Sequence, residues 1–143
     1  MAASLGTTTQ TSFGSRLETT LNKYAPGNRY SLAWGKNYAN WTTKLVEGIV
    51  CDIDNNFPVI VDVRQNPSLG FLTPCYRNHY NSNGNKDIYH YITVIGYTFK
   101  SNGSCDIRYL DSWSNNHGAN TVSLNDLANM SRPLGMVFFL IFL

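Results

Sequence analysis

His90-Tyr91-Ile92-Thr93-Val94-Ile95-Gly96-Tyr97-Thr98-Phe99 is a run of β-branched and aromatic residues, and Asp106-Ile107-Arg108-Tyr109-Leu110-Asp111 follows it after one short turn. Such residues fit a pleated, half-buried surface, so both segments read as strands. Between them Ser101-Asn102-Gly103-Ser104 supplies the turn, because Asn-Gly readily takes positive φ. The resulting antiparallel hairpin carries a histidine where its first strand starts and an aspartate where its second strand ends. Those two ends lie side by side, so residues distant in sequence become neighbours in space. A carboxylate beside an imidazole fixes its tautomer and stabilises the imidazolium, which is what a nucleophilic hydrolase asks of the pair. His90 and Asp111 are therefore the candidate site residues. The plain structural alternative is a hydrogen bond between neighbouring strands.

Upstream, Val59-Ile60-Val61-Asp62-Val63 is a strand whose unbroken apolar character places it centrally in a sheet. Before it, Leu45, Ile49 and Ile53 recur every four residues, with Val46 and Val50 widening the stripe, and predict a helix from about Asn40 to Asn55. Cys51 falls inside it as a small buried residue. Ser15-Arg16-Leu17-Glu18 matches a capping box and opens an earlier helix, which Pro26-Gly27 ends. Tyr30, Leu32 and Trp34 alternate as a short strand. Met1 to Leu5 reads as the end of a helix stopped at Gly6, and Thr7 to Ser12 as a polar loop. Arg64 to about Ile88 shows no period and is expected to be one long loop. Ser123 caps a short helix through Met130, and Gly135 onward is a last strand. The expectation is a single α+β domain, residues 1–143, with helices first and an antiparallel sheet after them.

Composition excludes several classes. Hydrophobic residues make up 43% of the 143 residues and charged ones 14%, with 17 Asn and nine Tyr. Low charge with many aromatics argues against disorder. A net charge of +2 leaves no electrostatic footprint for nucleic acid. The longest apolar run, Met136 to Leu143, has eight residues where a spanning helix needs about 20, so no membrane span is expected. Its status as a tail stays open. Cys51, Cys75 and Cys105 form no CxxC pair, and His79, His90 and His117 are scattered, so neither metal nor cofactor is expected. Three cysteines permit one disulfide and a leftover thiol. Oligomeric state is not legible.

Pro58 to Val63, His90-Tyr91-Ile92-Thr93-Val94-Ile95-Gly96-Tyr97 and Tyr109-Leu110-Asp111-Ser112 together resemble the later half of cysteine peptidase family 39, the bacteriocin-processing double-glycine peptidases and their exported relatives. The resemblance covers about residues 1–135. It implies a papain-like fold, a peptide or protein substrate, an extracellular or cell-surface setting for the full-length protein, His90 as general base and Asp111 as its orienting group. It also implies a nucleophilic Cys in a Cys-Gly-Pro-like motif opening the first helix, with an oxyanion-hole Gln just upstream. Met1-Ala2-Ala3-Ser4-Leu5-Gly6-Thr7 resembles the stretch after that motif, so the chain is expected to be truncated at its N-terminus and inactive as given. Gln10 falls on the wrong side to replace the Gln. Of the three cysteines, Cys75 is the one whose loop could approach the pair. An alternative function is a non-catalytic exported module on the same shell that binds peptide or glycan.

Overall fold

The computed structural model describes residues 14–27, 29–113 and 116–139. The expectations for Met1 to Ser12, Gln10 included, and for residues 140–143 of the apolar tail lie outside them. In chain order the elements are α1 (Ser15–Tyr24), β1 (Tyr30–Trp34), a 3-10 turn (Gly35–Asn37), α2 (Trp41–Asp54), β2 (Val59–Gln65), α3 (Pro74–Ser82), β3 (Ile88–Phe99), β4 (Cys105–Asp111), β5 (Gly118–Ser123), α4 (Leu124–Ser131) and β6 (Gly135–Phe139). The strands form one six-stranded antiparallel sheet in the order β1-β6-β2-β3-β4-β5.

This is the expected α+β architecture. β2 sits inside the sheet, as its apolar run required. So does β6, whose Met136 and Val137 are at most 1% exposed. Antiparallel partners share a face, so the register sets Val59 against Val94, Val61 against both Ile92 and Met136, and Val63 against His90 on one side. Against that side pack Trp41, Leu45 and Ile49 of α2 and Leu127 and Met130 of α4, all within one core. The Trp41 indole N–H donates to Ser131 Oγ at 2.9 Å and ties the two helices together. Gly48 lets α2 approach β6 closely: a Cβ there would meet Met136 Cε at 2.6 Å. Asn22 of α1 exchanges two hydrogen bonds with the backbone of Tyr30, at 2.9 and 2.6 Å, and so fixes α1 to the start of β1.

Four expectations change. The first helix has Gly14, not Ser15, at its N-cap and no side-chain cap, because the Gly14 carbonyl already accepts from Leu17 N at 2.9 Å and closes the turn one residue earlier. Residues 64–88 are not one loop. β2 runs on to Gln65, and α3 occupies Pro74–Ser82. That helix escapes the periodic signal because Tyr76 is its one buried residue, while Pro74 in the first turn is a start signal that was present. Cys51 is half-buried rather than buried, in a shallow apolar hollow with Val46, Val50 and Phe99. Gly118–Ser123, too short and polar to show alternation, is a sixth strand.

Candidate active site

His90 and Asp111 meet, but not through a plain hairpin. Near the turn, Phe99 faces Cys105 and Tyr97 faces Ile107. Continued unchanged, that register would set Thr93 opposite Asp111 and leave His90 on the other face of the sheet. Instead Ile95 is an extra residue in β3. Beyond it Val94 faces Tyr109 and Thr93 faces Leu110, so Asp111 comes to lie across from Ile92, diagonal to His90 and on the same face. A one-residue bulge thus aims the histidine, a use of bulges common beside active sites. Gly96, a glycine inside a strand, was its signal in the sequence.

With the faces matched, His90 Nε2 and Asp111 Oδ1 stand 2.8 Å apart. Nδ1 is the ring nitrogen left for another partner. The histidine side chain is 20% exposed and the aspartate side chain 0%, so one member of the pair is reachable and the other is not. A buried carboxylate needs hydrogen-bond donors, and Asp111 has four. Trp113 N donates to Oδ1 at 2.8 Å alongside the histidine. Tyr76 Oη at 2.8 Å and Asn116 Nδ2 at 2.9 Å donate to Oδ2. Burial alone would raise the Asp111 pKa. The bonds from Asn116, Trp113 and Tyr76, with the charge of His90, outweigh it and hold the carboxyl below its ordinary value. Asp111 therefore stays ionised and can steady a protonated imidazole without taking its proton.

Sequence reasoning missed the rest of the cradle. Tyr76 comes from α3, where its phenol is pushed up by burial and by its bond to Asp111. Its ring packs 5.6 Å from that of His90 and 4.5 Å from that of Trp113, and His79 stands edge-on to Trp113 at 5.3 Å. Below this cluster Gln65, fully buried and one pleat from His90, accepts from Leu72 N at 2.8 Å and fixes the segment that leads into α3. The Asp-Ser-Trp step was the available clue, since an aspartate side chain that accepts from the backbone N–H two residues on makes an Asx turn.

None of the other candidates joins the pair. Cys51, Cys75 and Cys105 are free thiols. Cys105 begins β4, six residues from Asp111 and so about 20 Å along the strand. Cys51 sits beside Phe99 at that same far end. Cys75 is exposed in the first turn of α3, next to Tyr76. His117 is exposed ahead of β5. Among the described residues no three of His, Cys, Asp and Glu gather as a metal site, and no helix is long and apolar enough to cross a membrane.

A family model described as the Peptidase C39 like family matches residues 1–132. No curated protein and no solved structure matches the chain. The match runs through both strands of the hairpin, the bulge and the α3 segment, and it agrees with the papain-like α+β architecture. The chain belongs to the Peptidase C39-like family of cysteine peptidase domains.

Proposed function

We propose that this domain supplies the imidazole–carboxylate half of a cysteine peptidase site, with His90 as general base and acid and Asp111 as its orienting group, and that the 143 residues alone do not cleave peptides. The observation that carries this reading is the 2.8 Å contact between His90 Nε2 and a buried, ionised Asp111, with Nδ1 left for a thiol. In the reaction a cysteine thiol gives its proton to Nδ1, and the thiolate attacks the peptide carbonyl carbon. His90 then returns the proton to the departing amine as the C–N bond breaks. Water, deprotonated by the same ring, hydrolyses the thioester and frees the thiol. Asp111 holds the ring plane throughout. The positions of the three cysteines support a thiolate from outside these residues: two lie at the far end of the sheet, and Cys75 is an exposed side chain in the first turn of α3.

Two assays test the proposal. Incubated with an epoxide cysteine-peptidase inhibitor and weighed intact, the chain is expected to gain no adduct. Stoichiometric labelling that disappears in His90→Ala would instead make Cys75 the nucleophile. Joined at its N-terminus to the Cys-Gly-Pro-opening helix of an active family member, the folded chimera is expected to hydrolyse a fluorogenic peptide, with kcat/KM falling a thousandfold or more in His90→Ala. A folded chimera whose hydrolysis ignores that substitution would contradict the assignment.

A further inference from the structure

We infer that Tyr76 is a positioning residue of this site, and that through Asp111 it fixes the orientation of the His90 ring, making helix α3 a working part of the site rather than an ornament of the loop after β2. The inference rests on the peptidase reading only for the use to which the ring is put; the contacts stand by themselves.

Helix α3 is tied to Asp111 twice, and both ties leave its first turn. Tyr76 Oη donates directly to Asp111 Oδ2 at 2.8 Å. Thr73, the N-cap, donates from Oγ1 to Asn116 Oδ1 at 3.0 Å, and Asn116 Nδ2 donates to the same Oδ2 at 2.9 Å. The other oxygen belongs to His90 and to Trp113 N. Each carboxylate oxygen thus has two donors, and the plane of the group is determined from both sides. That plane sets where His90 Nε2 finds its acceptor and hence where Nδ1 points.

Tyr76 also limits the ring sterically. It is 2% exposed, and its ring packs against those of both His90 and Trp113, at 5.6 and 4.5 Å. A phenol so buried keeps its hydroxyl satisfied or forfeits a hydrogen bond, and Asp111 is its acceptor. The titratable groups around this cluster are His90 from β3, Asp111 and Tyr109 from β4, and Cys75 and His79 from α3 itself. Tyr76 is the one that bridges the helix, the carboxylate and the imidazole.

The test is an NMR titration of His90 in the whole chain, comparing wild type with Tyr76→Phe. Removing one donor leaves the Asp111 charge less neutralised, so the imidazolium beside it gains stability. The midpoint of the His90 titration is expected to lie at higher pH in the variant than in wild type. Thr73→Val, on the tie that runs through Asn116, is expected to shift it the same way by less, and 3-fluorotyrosine placed at position 76, a stronger donor of nearly the same shape, is expected to shift it the opposite way and decides the matter should Tyr76→Phe not fold. A residue that merely fills space would lower the melting temperature and leave the titration where it was. Folded variants whose His90 titrates as wild type would overturn the positioning role, while the chimera assay would still judge the peptidase reading separately.

Discussion

Asp111→Ala is expected to cost the fold about 3–5 kcal/mol, the usual loss when one partner of a buried pair is removed. The side chain is fully buried, and its loss strands four donors: the His90 ring, Trp113 N, Tyr76 Oη and Asn116 Nδ2. Tyr76 is 2% exposed, so its hydroxyl would be left buried without an acceptor. Urea midpoints at neutral pH measure the effect. Asp111→Asn keeps the shape and one acceptor oxygen, so it should cost clearly less. The pH dependence has a definite sign. The folded pKa of Asp111 is depressed, so its contribution is present above the unfolded carboxyl value and is lost as pH falls through the folded one. The Asp111→Ala deficit should therefore shrink in acid, below about pH 4. A loss under about 1 kcal/mol at pH 7 would show the four-donor cradle to be ornamental.

Asp62→Asn is expected to do the opposite and stabilise the protein at pH 8, by about 2–4 kcal/mol. Asp62 lies on β2 between Tyr91 of β3 and Gly135 of β6, on the sheet face away from the α2 core, and is 4% exposed. Burial drives its pKa up to about 7, with only a backbone bond from Val63 working the other way. Tyr91 reflects the same closeness: its phenol is pushed up by burial and then by the Asp62 charge. A carboxyl whose folded pKa is raised gives stability that is complete below the unfolded value near 3.9 and is lost as pH climbs through about 7. Between pH 5 and pH 8 the wild type should weaken and Asp62→Asn should not. Parallel urea curves at the two pH values decide it, and a variant no more stable than wild type at pH 8 would refute the burial argument. The two aspartates are both buried, yet one is ringed with donors and the other is not. Their pKa values diverge for that reason.

How far the sequence could be read follows from the range of the forces involved. The hairpin strands, the α2 stripe and the central β2 were legible because each is written in residues close in sequence, by period or by β-branched content. Joining His90 to Asp111 was legible as proximity, since an antiparallel turn pairs the two strand ends. Which sheet face each would take was not. That depended on Ile95 standing extra in β3, a one-residue event that only Gly96 hinted at. Helix α3 was missed for a different reason. Its sequence, Pro74-Cys75-Tyr76-Arg77-Asn78-His79-Tyr80-Asn81-Ser82, buries Tyr76 alone, so there is no stripe to detect, and its place is fixed by long-range bonds to Asp111 and Asn116. The cradle around the carboxylate is likewise assembled from α3, the end of β4 and the segment before β5. No local pattern could announce it.

The most direct measurement of the central claim is the nitrogen chemistry of the His90 ring itself. In a long-range nitrogen–proton NMR spectrum of the neutral imidazole, we expect the proton on Nε2, held by Asp111, with Nδ1 bare and ready to receive a thiol proton. Asp111→Asn should lower the pKa of that ring. A ring protonated at Nδ1, or one that titrates identically with and without the Asp111 charge, would contradict the account.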